Sequence, residues 1–149
     1  MAIERTAEPA PVQAPPKRRG QAPVVGAVAL GGVLGAWVRY GAGLLWPDAP
    51  TAFPWTTLVV NVAGCAVIGF FLVAITEIWR PHPLLRPFFG TGVLGGFTTF
   101  STYAVDINRL VEHGEAARGF GYLAGTLIAA LTAVWAAAAL TRRVLGGAR

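Results

Sequence analysis

Four stretches of this chain, Val24 to Trp46, Trp55 to Ile75, Leu84 to Val105 and Gly119 to Leu140, are dominated by apolar residues. Each is close to the ~20 residues an α-helix needs to cross the hydrocarbon core of a bilayer at about 1.5 Å per residue. Strands of a closed membrane barrel would be half that length and would alternate apolar with polar residues, and no such alternation is present. Only 13% of the 149 residues are charged, against roughly 25% in soluble domains. The fold class expected is an all-α membrane protein with four transmembrane helices.

The flanks differ in kind. Residues 1–21 are rich in Ala and Pro and carry a basic run at Lys17, Arg18 and Arg19, a composition that cannot bury enough apolar surface to fold. They read as a disordered cytoplasmic tail. A basic run before an apolar stretch imitates a secretory signal, but this stretch is long, contains Arg39 and precedes three more spans, so it reads as a retained first helix. The expected organisation is a tail over 1–21, a four-helix unit over 22–143 with helices at about 24–46, 55–79, 84–112 and 119–141, and a C-terminal tail over 144–149. The single cysteine, Cys65, lies within the second span, can form no internal disulfide, and reads as a packing residue.

An even number of spans puts both termini and the loop between the second and third helices on one side. That side carries nine of the 12 basic residues, the opposite side carries Arg109 and Arg118, and Arg39 lies within the first span. By the positive-inside rule the termini are cytoplasmic, in a cell membrane. The net charge of +5 has no groove-reading element behind it, which argues against a nucleic-acid partner. Basic residues at helix ends instead anchor against anionic lipid headgroups.

Polar groups inside the spans carry the functional information, because each must face protein or water. In the first helix Gly31, Gly35 and Arg39 follow at steps of four, which makes a small-residue face followed by a guanidinium. Arg39 has two readings open: it caps helix carbonyls near the membrane surface, or it lines an aqueous vestibule. Asn61 shares a face of the second helix with Gly64 and Ile68, and its amide either makes an interhelical hydrogen bond or offers N–H donors to an anion. In the fourth helix Tyr122 and Thr126 lie one turn apart, as a polar track or as local backbone partners.

The third span holds the densest anomaly, the run "GGFTTFSTYAVD" from Gly95 to Asp106. Gly92, Gly95 and Gly96 make regular helix least secure there, since glycine costs roughly 1 kcal/mol relative to alanine in a helix interior. Thr98, Thr99, Ser101 and Thr102 then supply hydroxyls for freed backbone groups. The pattern predicts a helix broken within the membrane, where unwound carbonyls commonly hold a cation. Beyond the break Phe100, Tyr103 and Asp106 follow at steps of three. Aromatic residues so spaced are ordinary filler, yet the electropositive ring edges can also line an anion's route.

These motifs together, with Gly35-Ala-Trp-Val-Arg39-Tyr40, Asn61-Val-Ala-Gly64 and Tyr122-xxx-Thr126, resemble the CrcB/Fluc family of bacterial fluoride channels over nearly the whole chain after the tail. The resemblance implies an antiparallel, inverted-topology dimer of four-helix subunits with two fluoride pores. It also implies a structural, non-transported Na⁺ at the dimer centre, held by main-chain oxygens at Gly95 and Thr98. It assigns Asn61, Phe100, Tyr103, Tyr122 and Thr126 to the fluoride pore, Arg39 to the vestibule, and Asp106 to the acidic position ending the motif. No energy source is encoded, so export of F⁻ from the cytoplasm, which reduces fluoride toxicity, is expected to be passive.

Two departures from the family pattern stand out. Tyr103 stands where a Phe is usual, and Ala130 occupies the next turn of the fourth-helix track, where a serine is common. The basic asymmetry also sits badly with one chain inserting in both orientations. It favours pairing with a homologous subunit of opposite topology over a homodimer, and leaves open a partly conducting or structural subunit. A small four-helix proton-coupled drug exporter would need an embedded carboxylate in the first helix, where this chain has Arg39. An enzyme would need converging catalytic groups, yet His82 and His113 fall in loops on opposite sides.

Overall fold

The computed structural model describes residues 20–49, 52–78 and 82–146. Pro23 and Pro87 each stand in the first turn of a helix, where the missing N–H costs nothing. Helix α1 spans Ala22–Leu45 and stops just before Pro47. Helix α2 spans Trp55–Val73 and continues in wider π-helical turns over Ala74–Ile78. Its start is fixed by the Asp48 carboxylate, which accepts the Thr56 N–H at 3.1 Å.

The predicted third helix arrives in two pieces. Helix α3 comprises π-helical turns over Arg86–Val93 and one α turn over Leu94–Phe97; α4 spans Phe100–Glu112. A turn then leads to α5, Ala116–Gly146. In that turn Gly114 has φ +80° and the Glu115 N–H closes onto the Leu110 carbonyl at 2.9 Å, an ending that favours glycine. Among the described residues there is no strand. Three helices, Ala22–Leu45, Trp55–Glu77 and Ala116–Leu145, are each long and apolar enough to cross a bilayer.

Two expectations need correction. The glycines do not make the break: Gly92, Gly95 and Gly96 all lie within helical turns, and the chain is extended at Thr98 (ψ 150°) and Thr99 (φ −141°, ψ 120°). The last helix also runs on to Gly146, past the expected end at 141, since no proline or glycine stops it sooner and Arg142 pairs with Glu77 of α2 at 2.9 Å. The tail predicted over 1–21 falls, up to residue 19, outside the described residues, as do 147–149.

What the glycines do is let α1 and α3 touch backbone to backbone. A Cβ on Gly35 would collide with the Val93 carbonyl and lie 2.7 Å from the Phe97 nitrogen; one on Gly92 would lie 2.8 Å from the Val28 carbonyl oxygen. One on Gly96 would strike the Gly32 carbonyl. Without a hydrophobic force between helices in lipid, such close approach is the main source of association. Helix α2 packs along α5 in a second pair, again through a glycine: a Cβ on Gly69 would strike the Val134 carbonyl. Helix α4 leans on α5 and so links the break to this second pair.

Because the atoms around Gly35 are backbone, Gly35→Ala forces the helices apart and is expected to cost about 1–3 kcal/mol. Gly26→Ala, in the same helix with nothing within 4 Å of its Cβ position, is expected to be neutral or mildly stabilising. Melting temperatures of the two variants in detergent check the difference.

Candidate functional site

The break is closed by a side chain from another helix. Asn61 of α2 donates from Nδ2 to the Thr99 carbonyl at 3.0 Å and accepts the Thr99 N–H on Oδ1 at 2.8 Å. The amide thus pairs with the backbone as a neighbouring strand would, and satisfies both polar groups of the residue that leaves the helix. Gly64, one turn along α2, leaves room for the Thr98 methyl and the Phe97 ring, with Phe97 Cδ1 3.1 Å from where a Cβ would be. Thr99 in turn starts α4: its hydroxyl oxygen accepts the Thr102 N–H at 3.0 Å and donates to the Thr102 hydroxyl at 3.0 Å. The Thr-x-x-Thr spacing of Thr99 and Thr102 is the signal of this cap in the sequence.

On the other side of the break Arg39 donates from Nε to the Gly96 carbonyl at 3.1 Å. That carbonyl belongs to the last turn of α3, whose acceptors have no following helix to serve. Arg39 therefore caps a carbonyl at the C-terminal end of α3. Arg39 also lines a cavity with Tyr40, Thr57, Thr99 and Thr102. Gly95 is exposed, with nothing within 4 Å of a Cβ position. Since the Thr99 N–H is turned to Asn61, the Gly95 carbonyl loses the donor that an unbroken helix would supply.

The predicted pore residues separate into a groove and its backing. A groove of about 650 Å³ is lined by Asn61, Thr98, Phe100, Tyr103 and Thr126, together with Cys65, Ile107 and Leu127. Phe100 stands 80% exposed at its edge. The Tyr103 hydroxyl donates to the Leu123 carbonyl of α5 at 2.8 Å, so its ring is tied across the groove floor. Tyr122 is fully buried behind it. The rings run in series: Phe100 to Tyr103 at 5.8 Å, Tyr103 to Tyr122 at 5.2 Å, Tyr122 to Phe53 edge-on at 5.3 Å, and Phe53 to Trp55 at 4.7 Å. Phe53, in the loop before α2, and Thr57, buried beside Tyr122 and Asp106, were not singled out by the sequence. Neither belongs to a spaced motif, and only the packing of α2 on α5 brings them in.

Long apolar helices and a span broken beside a groove that carries a few polar groups define an all-helical membrane protein. The family described as CrcB-like protein, Camphor Resistance (CrcB), matches residues 26–138. The chain is 58% identical over 149 residues to a Streptomyces coelicolor protein named fluoride-specific ion channel FluC 1, with 97% of each chain covered. It is 62% identical over 120 residues to fluoride-specific ion channel FluC 2 of Streptomyces avermitilis (78% of this chain, 76% of that one). It is 45% identical over 107 residues to fluoride-specific ion channel FluC of Paracoccus denitrificans (72% and 85%). The chain belongs to the CrcB family. These relatives are named as channels and not as enzymes, in agreement with the absence of a catalytic motif from the sequence.

Asn61→Ala would leave the Thr99 N–H and carbonyl buried without partners, at an expected cost of about 1–3 kcal/mol. The expected outcome is a lower melting temperature together with faster hydrogen exchange at the Thr99 amide, measured by NMR in detergent. Unchanged exchange at Thr99 would show that the break is held by something else.

Proposed function

We propose that this chain is a subunit of a fluoride-specific channel that lets F⁻ leave the cytoplasm passively across the cell membrane and so limits fluoride toxicity. The observation that carries the reading is the groove, where donors and aromatic rings converge without a fixed positive charge. The second N–H of Asn61 Nδ2 is not used by Thr99, and the buried Thr126 hydroxyl lies beside that of Tyr122. Phe100 and Tyr103 add aromatic ring surface, Tyr103 with its hydroxyl bound to Leu123. Fluoride is small and strongly hydrated, so a selective path must replace its water with donors and weakly electropositive edges, and still release it. A guanidinium in the groove would trap the ion; Arg39 is held outside it, at the Gly96 carbonyl. HF entering from acidic surroundings ionises inside, and a negative-inside potential then drives the anion out.

The named relatives support this reading, as does the order of the motifs along the chain. A dimer fits the exposed Gly95 face, and the freed Gly95 carbonyl with the neighbouring Thr98 carbonyl suits a hard cation such as Na⁺. Those two residues would hold the ion, and bound there it would neutralise carbonyl repulsion at the subunit contact. In this proposal α3 and α4 together make the fourth crossing, with both termini cytoplasmic. The dimer is antiparallel, and the partner is a homologous subunit of opposite topology or a second copy.

Fluoride efflux from liposomes holding the purified chain, alone and with a candidate partner, tests the channel. Phe100→Ile and Asn61→Asp are each expected to lower efflux by at least about tenfold, the order of one lost ion-pathway interaction of roughly 1.4 kcal/mol. Unchanged flux in both would overturn the pore assignment. Flux that appears only with the partner would establish an obligate pair, and if Phe100→Ile in this chain left that flux unchanged, this chain would be its structural member.

Orientation is tested separately, by mapping accessible tags at the two termini of the chain expressed alone. The basic asymmetry predicts one dominant orientation and hence a distinct partner. Abundant insertion in both orientations would establish the homodimer instead.

A further inference from the structure

A cleft of about 770 Å³ opens between α1 and α2 at the ends joined by their loop. Val59 and Ala63 line it, and each stands two residues from Asn61, which turns them to the opposite face of α2 from the groove. Phe97, at the break, closes its inner end, and apart from Asp48 and Thr56 its lining is apolar. Trp46, Asp48 and Trp55 form its mouth. That mouth is held by its own bonds. The Thr56 N–H reaches Asp48 Oδ2 at 3.1 Å, the Thr56 hydroxyl donates to the Trp46 carbonyl, and the Trp55 ring packs on Phe53 at 4.7 Å. Glu77, Asp106 and Glu115 are each paired with an arginine. Asp48 forms no ion pair among the described residues, and its second carboxylate oxygen takes no hydrogen bond there.

An acid without a counter-ion, set between two exposed tryptophans at the lip of an apolar cleft, complements an amphiphile with a cationic head. Indole faces attract ammonium groups, and tryptophans favour the level of the lipid headgroups. We propose that the cleft binds one phospholipid with a primary ammonium headgroup, of the phosphatidylethanolamine kind. The ammonium donates to the free oxygen of Asp48 and lies against Trp46 and Trp55, while an acyl chain runs between α1 and α2 toward Phe97. From Trp46 to Val38 along α1 the cleft is about 12 Å long, most of the roughly 15 Å depth of one leaflet's hydrocarbon. No basic side chain lines it among the described residues, and Arg39 is bound at Gly96 in another cavity, so an anionic headgroup finds no partner here. The proposed second subunit is not the occupant. Gly95 and Phe97 stand two residues apart in one helical turn and so on opposite sides of α3. A dimer made through the Gly95 face leaves the cleft open to lipid. The inference requires insertion in a membrane and does not depend on conduction.

Native mass spectrometry of the purified full chain in detergent, titrated with lipids of identical acyl chains, tests the site. Phosphatidylethanolamine is expected to bind the parent more tightly than phosphatidylcholine, whose quaternary ammonium has no N–H to give Asp48. Asp48→Asn keeps an acceptor for the Thr56 N–H and removes the charge. It is expected to weaken phosphatidylethanolamine about fivefold or more, the loss of one charge-assisted hydrogen bond at a partly exposed site, and to leave phosphatidylglycerol within about twofold. Trp46→Leu with Trp55→Leu keeps the cleft apolar and is expected to weaken phosphatidylethanolamine as well. Glu115→Gln, at another exposed acid, and Trp135→Leu, at another exposed tryptophan, are expected to change nothing. Equal binding of phosphatidylethanolamine and phosphatidylcholine by the parent, an unaltered affinity in Asp48→Asn, or an equal loss in either control variant would each overturn the site. The parent comparison needs no substitution, so it decides even where a variant fails to fold.

Discussion

The arrangement depends on one side chain meeting one peptide unit: Asn61 against the N–H and carbonyl of Thr99. In lipid an unpaired backbone group costs several kcal/mol, and a helix can be interrupted only where protein supplies what the helix withdrew. With Asn61 in place, Thr98 and Thr99 can be extended, α3 can end, and α4 can start in a new direction under its own threonine cap. The groove residues then follow from geometry, since Phe100 and Tyr103 lie in the first turn of the helix that this interruption creates. Asn61 is therefore both a structural clasp and, through its second N–H, a groove donor.

Around that point the chain is two helix pairs with different rules. The α1–α3 pair is built by subtraction, with Gly31, Gly35, Gly92 and Gly96 removing side chains until backbones meet. Arg39 then crosses from α1 to cap the carbonyl end of α3. The α2–α5 pair carries the clasp on one helix and the track on the other. Helix α4 belongs to neither pair; it is held by the ring stack on Tyr122, the Tyr103 bond to Leu123, and the clasp behind it. It is the element whose position is set by specific contacts more than by broad apolar packing.

Much of this was legible because lipid leaves so few options. Span length, the small-residue face of α1 and the oddity of "GGFTTFSTYAVD" are local properties of the sequence, and local properties survive folding. The position of the break was misjudged because glycine's poor helix propensity is a weak preference that close packing overrides: Gly92 and Gly96 are helical since α1 needs them there. The partner of the break was not legible, since Asn61 and Thr99 are 38 residues apart. For the same reason the sequence left two readings of Arg39 open, and offered no sign that Tyr103 would anchor to Leu123 or that Phe53 and Thr57 would join the site.

The two aromatic neighbours at the groove differ in freedom of motion. Phe100 projects from the first turn of α4 with most of its ring unpacked, and an exposed ring of that kind changes rotamer on the picosecond to nanosecond scale. Tyr103, one turn on, is pinned at its far end by a hydrogen bond and stacked on the ring behind it. An extra oxygen atom thus divides an otherwise similar pair into a fixed wall and a swinging one. Replacing phenylalanine by tyrosine at such a place changes the dynamics of the groove more than its chemistry.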